Sequence, residues 1–117
     1  MFNSARLIIA HLGLAFALFA LALILGAWQM LVRSPLHTWI SNPEWYYRSL
    51  TAHGTVMAYG LTTLVAMGFG YAISEAALEQ PLVGRKWAWG GLGLLVVGAV
   101  VAMVPVALGQ ASVLYTF

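Results

Sequence analysis

Three histidines, His11, His37 and His53, are the strongest candidate metal ligands of this 117-residue chain, which contains no cysteine. The missing cysteines exclude disulfides, thiolate metal sites and iron–sulfur ligation by this chain. His53 stands out because it lies in an apolar segment, where an ionisable side chain is costly unless it is paired. A neutral imidazole offers one nitrogen lone pair to a metal and one N–H to a second acceptor.

The surroundings of His53 favour some metal sites over others. With no cysteine and no carboxylate nearby, a zinc or di-iron site is poorly supported, whereas haem iron needs only one protein nitrogen at each axial position. A histidine that is hydrogen-bonded between two helices, without any ligand, is the competing interpretation. At helical spacing His53 shares a face with residues that either line a flat macrocycle or pack as ordinary core: Ser49, Val56, Met57, Gly60 and Leu64.

The other ionisable candidates have simpler interpretations. We expect His11 to reach interfacial water near one end of the first helix, and His37 to be solvated in a polar loop. Glu75 and Glu79 have the spacing of a helical acidic pair, but they stand beside Arg85 and Lys86 at a predicted membrane edge. They are therefore predicted to be solvated loop charges and not paired catalytic carboxylates.

The elements that carry these residues are membrane helices. Hydrophobic residues make up 62% of the chain and charged residues 7%, with a mean hydropathy of +0.91, whereas a soluble domain carries roughly 25% charged residues. Apolar stretches at about 7–32, 46–74 and 87–108 each reach the roughly 20 residues that cross a bilayer. The sequence thus predicts an all-α membrane protein, with residues 1–117 forming one membrane region of three transmembrane helices within a larger helical bundle.

Charge and small residues add two expectations. Arg6, Arg85 and Lys86 lie on one side of the predicted topology, against Arg33 and Arg48 on the other, which favours a cytoplasmic N-terminus. Small residues spaced by four predict close helix packing, as at Gly13 with Ala17, Gly54 with Ala58, and Gly98 with Ala102. Five scattered Lys and Arg residues and a net charge of +2 give no nucleic-acid-binding surface.

Three segments resemble subunit I of haem–copper terminal oxidases, the cytochrome c oxidase subunit I family. The segment WYYRSLTAHGTVMA (residues 45–58) is similar to the family's second transmembrane helix, and GAWQ (26–29) to the end of its first. ASVLYTF (111–117) resembles the segment after the third helix in the B-type branch. The segment 75–86 contains no Asp or Asn, in keeping with that branch.

The resemblance implies that His53 is an axial ligand of a low-spin haem, b-type in this branch. It also implies an N-terminal fragment of a larger oxidase subunit I, whose high-spin haem and copper are bound by other segments. Electrons from a cytochrome or another carrier would reach an oxygen-reducing centre coupled to proton translocation, in a bacterial or archaeal cytoplasmic membrane. The expected partners are the remainder of subunit I, the other oxidase subunits and the lipid bilayer.

Further expectations concern two polar residues and the alternative functions. Gln29 is expected near the haem edge by its place in the resembling segment, and Arg48 is expected to snorkel to lipid headgroups rather than to approach a haem propionate. A nitric oxide reductase-type subunit of the same superfamily is the nearest alternative. A non-catalytic membrane packing subunit and a small homodimeric haem protein are the others.

Overall fold

The computed structural model describes residues 4–35 and 42–111, and this part of the chain is helical with no strand. Helix α1 is Ala5–Arg33, helix α2 is Pro43–Leu78 and helix α3 is Arg85–Ala107. All three are long and apolar enough to cross a membrane, which confirms the predicted fold class. At about 1.5 Å per residue, α1 and α2 are longer than a bilayer core of roughly 30 Å, so their ends extend past it or the helices tilt.

Helix α2 begins at Pro43, three residues before the predicted start at residue 46, because Asn42 and Pro43 favour a helix N-terminus there. The side chain of Asn42 accepts a hydrogen bond from the backbone N–H of Glu44 at 2.9 Å. Pro43 occupies the first helical position and Glu44 places a negative charge in the first turn. The Asn-Pro-Glu sequence is therefore a helix start signal, and His53 lies ten residues after Pro43.

The α2–α3 connection is shorter than the predicted loop of residues 75–86. Helix α2 continues to Leu78 and ends where Glu79 adopts a left-handed conformation with φ of 51°, a common helix termination. Pro81 follows, and Gly84 takes φ of 80° immediately before α3. At the other end of α3, Pro105 lies inside the helix, which stops two residues later at Ala107.

Helices α1 and α2 form the main packing interface, and α3 lies against them. The core consists of Ala15, Leu64 and Leu92, one from each helix, each less than a tenth exposed. Large apolar side chains elsewhere are exposed, including Phe16 on α1, Phe69 on α2 and Val101 on α3. Such a surface requires lipid or further helices to cover it.

The glycines at the α1–α2 interface differ from those predicted by small-residue spacing. A Cβ added at Gly60 would lie 2.7 Å from Leu18, and one added at Gly68 would lie 2.9 Å from Leu12. By contrast, Gly13, Gly54 and Gly98 have nothing within 4 Å of an added Cβ. These three glycines therefore mark no close contact within the described helices, and their predicted packing against further helices stays a prediction. A four-residue spacing identifies a small face but not whether a neighbour covers it.

Arg48 joins α2 to the end of α3. Its guanidinium pairs with Glu44 and donates to the backbone carbonyls of Ala107 and Leu108, at 3.0 and 3.3 Å. It also lies over the ring of Trp45. A cation at the carbonyl end of a helix satisfies otherwise unpaired acceptors and interacts favourably with the helix dipole. The snorkelling predicted for Arg48 is thus replaced by a specific interhelix contact.

The α1–α2 interface can be tested by a matched pair of glycine substitutions on α2. Gly68→Ala forces Leu12 and the Cβ of His11 to move, and we expect it to destabilise the protein by about 1–3 kcal/mol, as overpacking does. Gly70→Ala adds a methyl group to open space and is expected to be neutral or slightly stabilising. Thermal unfolding in detergent micelles measures both; equal melting temperatures would contradict the packing described above.

Candidate functional site

His53 lies at the α1–α2 interface, half-buried, with one ring nitrogen already engaged. Its Nδ1 is 2.8 Å from the backbone carbonyl oxygen of Ala22 on α1. Because a carbonyl can only accept, Nδ1 carries the proton and donates. In the neutral ring this leaves Nε2 with its lone pair free to accept a proton or to bind a metal.

The backbone of α1 makes room for this ring at Gly26. A Cβ at Gly26 would lie 3.3 Å from Cε1 of His53 and 3.6 Å from Nδ1. Gly26 is one turn after Ala22, so the imidazole edge lies against the α1 backbone between these two residues. The side chain at position 26 thus limits how closely His53 approaches α1.

A second polar contact joins the same two helices near His53. The side-chain amide of Gln29 donates to the backbone carbonyl of Ser49 at 3.1 Å. The hydroxyl of Ser49 donates in turn to the carbonyl of Tyr46 at 2.8 Å. Gln29 was predicted from resemblance to lie near a haem edge; the structure places it on the backbone of α2, one turn before His53.

A π-helical segment, Val56–Leu61, begins three residues after His53. Such wide turns are uncommon and occur frequently at functional sites. Within and after it, Gly60 and Leu64 face α1, where Gly60 packs on Leu18 and Leu64 is fully buried. In the described helices these two residues pack against α1, as the alternative interpretation of ordinary core packing has it. No periodicity in the sequence marks the π turn.

His11 differs from its prediction. It is completely buried, with Nδ1 2.9 Å from the carbonyl of Leu7 and its ring against the edge of Tyr71. The expectation that it reaches interfacial water is wrong, because α2 packs over it at Gly68. Its Nε2 has no hydrogen-bond partner among the described residues. His37 lies outside the described residues, so its predicted solvation stays a prediction.

Glu75 also departs from its prediction. The predicted solvated carboxylate is only 6% exposed, because α2 runs past it and carries it against the start of α1. It accepts from the Ser4 hydroxyl at 2.5 Å, from the Ser4 backbone N–H at 3.4 Å, and from the Leu82 backbone N–H at 3.0 Å. Glu79 is exposed in the following turn, as predicted. The two acids do not form a catalytic pair.

These contacts give Glu75 a structural role that Glu79 lacks. Glu75→Ala leaves three donors without their acceptor, and we expect a clear drop in the melting temperature of the protein in detergent micelles. Glu79→Ala removes an exposed charge and is the matched control, with little change expected. If Glu75→Ala and Glu79→Ala had the same melting temperature, the hydrogen bonds of Glu75 would make no net contribution to stability.

The described residues contain no group of three or more histidine, cysteine, aspartate or glutamate side chains placed to hold a metal ion. A metal held only by protein ligands of the described part is therefore unsupported. A cofactor that carries its own ligands and needs one axial nitrogen is compatible with His53, whose Nδ1 is already oriented by a backbone carbonyl.

Comparison with known proteins adds one finding. The family model of cytochrome c and quinol oxidase polypeptide I matches residues 6–117, nearly the whole chain. No curated protein and no solved structure matches it significantly.

Proposed function

The chain belongs to the family of cytochrome c and quinol oxidase polypeptide I, and from this premise we propose that His53 binds a low-spin haem through Nε2. In this proposal the chain is part of the catalytic subunit of a respiratory haem–copper oxidase. His53 would be a nitrogen ligand of a b-type haem, and that haem would supply electron transfer to the oxygen-reducing centre.

The observation that carries this proposal is the hydrogen bond from Nδ1 of His53 to the carbonyl of Ala22. A histidine that ligates a metal usually donates its other ring N–H to a carbonyl or carboxylate, which fixes the tautomer and raises the basicity of the ligand. His11 also donates Nδ1–H to a carbonyl, but its Nε2 is sealed inside the α1–α2 interface. His53 is only half-buried, so a planar group from outside the three helices has access to it.

In this proposal the residues around His53 hold the imidazole in place. The Ala22 carbonyl fixes the imidazole orientation, and Gly26 lets the ring lie against the α1 backbone. Bound haem would supply one-electron exchange, with its potential set by the axial ligands and their hydrogen bonds. A ligand anchored by backbone on one side reorients little when the charge on the iron changes.

The rest of the proposed centre lies on other helices. The second axial ligand, the high-spin haem and the copper would come from further helices of subunit I, which would cover apolar side chains exposed here, such as Phe69 and Val101. We place the protein in a bacterial or archaeal cytoplasmic membrane, with a cytoplasmic N-terminus. The electron donor would be a cytochrome or another carrier, and oxygen would be reduced to water with coupled proton translocation.

Assignment to the B-type branch is also part of the proposal. It is supported by the absence of Asp and Asn from residues 75–86 and by the resemblance of segment 111–117. Residues 112–117 of that segment lie outside the described residues. The rates at which the complete oxidase consumes oxygen and nitric oxide test the proposed substrate. We expect the enzyme to reduce oxygen.

The same substitution, made separately at His53 and at His11, tests which of the two histidines is the haem ligand. In the complete oxidase, His53→Phe removes the proposed nitrogen ligand, and we expect loss of the low-spin haem spectrum. Most of the oxygen-reducing activity should be lost with it, because electrons would no longer reach the oxygen-reducing centre through this haem. His11→Phe keeps a ring against Tyr71 and removes an unpaired nitrogen. Its haem spectrum should match that of the unmodified protein.

Reduced-minus-oxidised optical spectra and haem content of both purified variants give the answer. A normal low-spin spectrum in His53→Phe would overturn the proposal. Loss of the spectrum in both variants, at equal protein yield, would also count against it, because His11 would then be indistinguishable from His53.

A further inference from the structure

Two hydrogen bonds of opposite direction join α1 and α2, one made by the candidate ligand itself and the other one turn before it on α2. His53 on α2 donates to the Ala22 carbonyl of α1, and Gln29 on α1 donates to the Ser49 carbonyl of α2. In each bond a side chain of one helix contacts the backbone of the other. Both bonds are near the optimal length, so sliding one helix along the other would lengthen or misalign them.

The Ser49 carbonyl is directly coupled to His53 through the backbone of α2. In an α-helix the carbonyl of residue i accepts from the N–H of residue i+4, so the Ser49 carbonyl and the His53 N–H belong to one turn. Gln29 therefore contacts the carbonyl that also accepts the helical hydrogen bond from the backbone N–H of His53. The contact is partly buried, and Ser49 itself is only 8% exposed.

The environment makes the Gln29 contact specific. An amide in a membrane-spanning helix finds few water molecules to replace a lost partner, so leaving it unpaired is costly. Gln29 contacts the carbonyl of Ser49, while the Ser49 hydroxyl donates its own proton to the Tyr46 carbonyl. Among the described residues, the Ser49 carbonyl is the partner recorded for the Gln29 side chain.

We propose that Gln29 is a positioning residue for the iron ligand: by holding α1 and α2 in register, it sets the strength of the bond from His53 Nδ1 to the Ala22 carbonyl. This inference rests on the proposed function, since it takes His53 as the haem ligand. A stronger Nδ1–H···O bond makes imidazole a better electron donor to the metal and favours ferric iron. Loss of Gln29 thus raises the midpoint potential of the low-spin haem without removing the haem.

The test uses the complete oxidase with substitutions at two adjacent residues of α1. Gln29→Met keeps a side chain of similar length and removes the donor. Met30→Leu alters a side chain that is 72% exposed and is the matched control. We expect full haem content in both, a higher potential and shifted low-spin ferric g-values in Gln29→Met, and unchanged values in Met30→Leu.

Two further variants separate hydrogen bonding from packing. Gln29→Leu also lacks the donor but differs from Met in shape, and its potential should shift as that of Gln29→Met does. Gly26→Ala pushes directly on the His53 ring and is the positive control, since it should shift the g-values by disturbing the ring itself. If Gln29→Met fails to assemble, Gln29→Asn, one methylene too short to reach Ser49, takes its place.

The outcomes distinguish this inference from the proposed function. Identical potentials and g-values in Gln29→Met and Met30→Leu would overturn the positioning role, even where His53→Phe loses the low-spin haem. A shift in Gln29→Met that is absent from Gln29→Leu would overturn it as well, because the side chain would then act by its shape and not by its hydrogen bond. Retention of the low-spin spectrum in His53→Phe would instead overturn the proposed function.

Discussion

The close approach of α1 and α2 is the constraint on which the rest of the structure depends. Glycines at 26, 60 and 68 bring a side chain of one helix against the backbone of the other along most of their length. Backbone carbonyls on α1 and α2 thereby come within reach of side chains across the interface, as at Ala22 and Ser49. In a membrane, where water does not compensate for lost hydrogen bonds, short interhelix distances of this kind allow polar residues to be retained at all.

The same interface separates two histidines that look alike in the sequence. Both lie in apolar helices, and both donate Nδ1–H to a backbone carbonyl. His11 donates within its own helix and is then enclosed by α2, whereas His53 donates across the interface and keeps part of its ring at the surface. Access, and not local hydrogen bonding, therefore distinguishes the candidate ligand from the buried core histidine.

Much of the fold was predictable from the sequence, because apolar length and turn residues determine membrane helices directly. The type and order of the three helices were predicted correctly, with boundaries in error by up to four residues. The early start of α2 could have been predicted from Asn42 and Pro43, which favour a helix N-terminus. The contact of Glu75 with Ser4, beyond the predicted end of α2, is tertiary and has no local sequence signal. Residue spacing shows faces but not neighbours, so it did not identify the glycines that contact α1.

The candidate site was predictable only in part. Imidazole in an apolar helix singled out His53, but nothing in the sequence predicts Ala22 as its acceptor, since a backbone carbonyl has no side-chain signature. The role of Gln29 was also hidden, because its partner is again a carbonyl. The π turn after His53 was not predicted either. It lies where α2 packs on α1 at Gly60, a tertiary contact that has no local sequence signal.

The carboxylate of Glu75 has a consequence for the order in which the protein is assembled. Its donors come from the residue before α1 and from the turn between α2 and α3, so this contact requires three separate parts of the chain. During synthesis α1 emerges first, and Ser4 gains this partner only after α2 has been extended to Glu75; Leu82 adds the third donor seven residues later. The polar contact at the N-terminal end of α1 therefore forms after α1 itself has been synthesised, and it ties α1 to the end of α2.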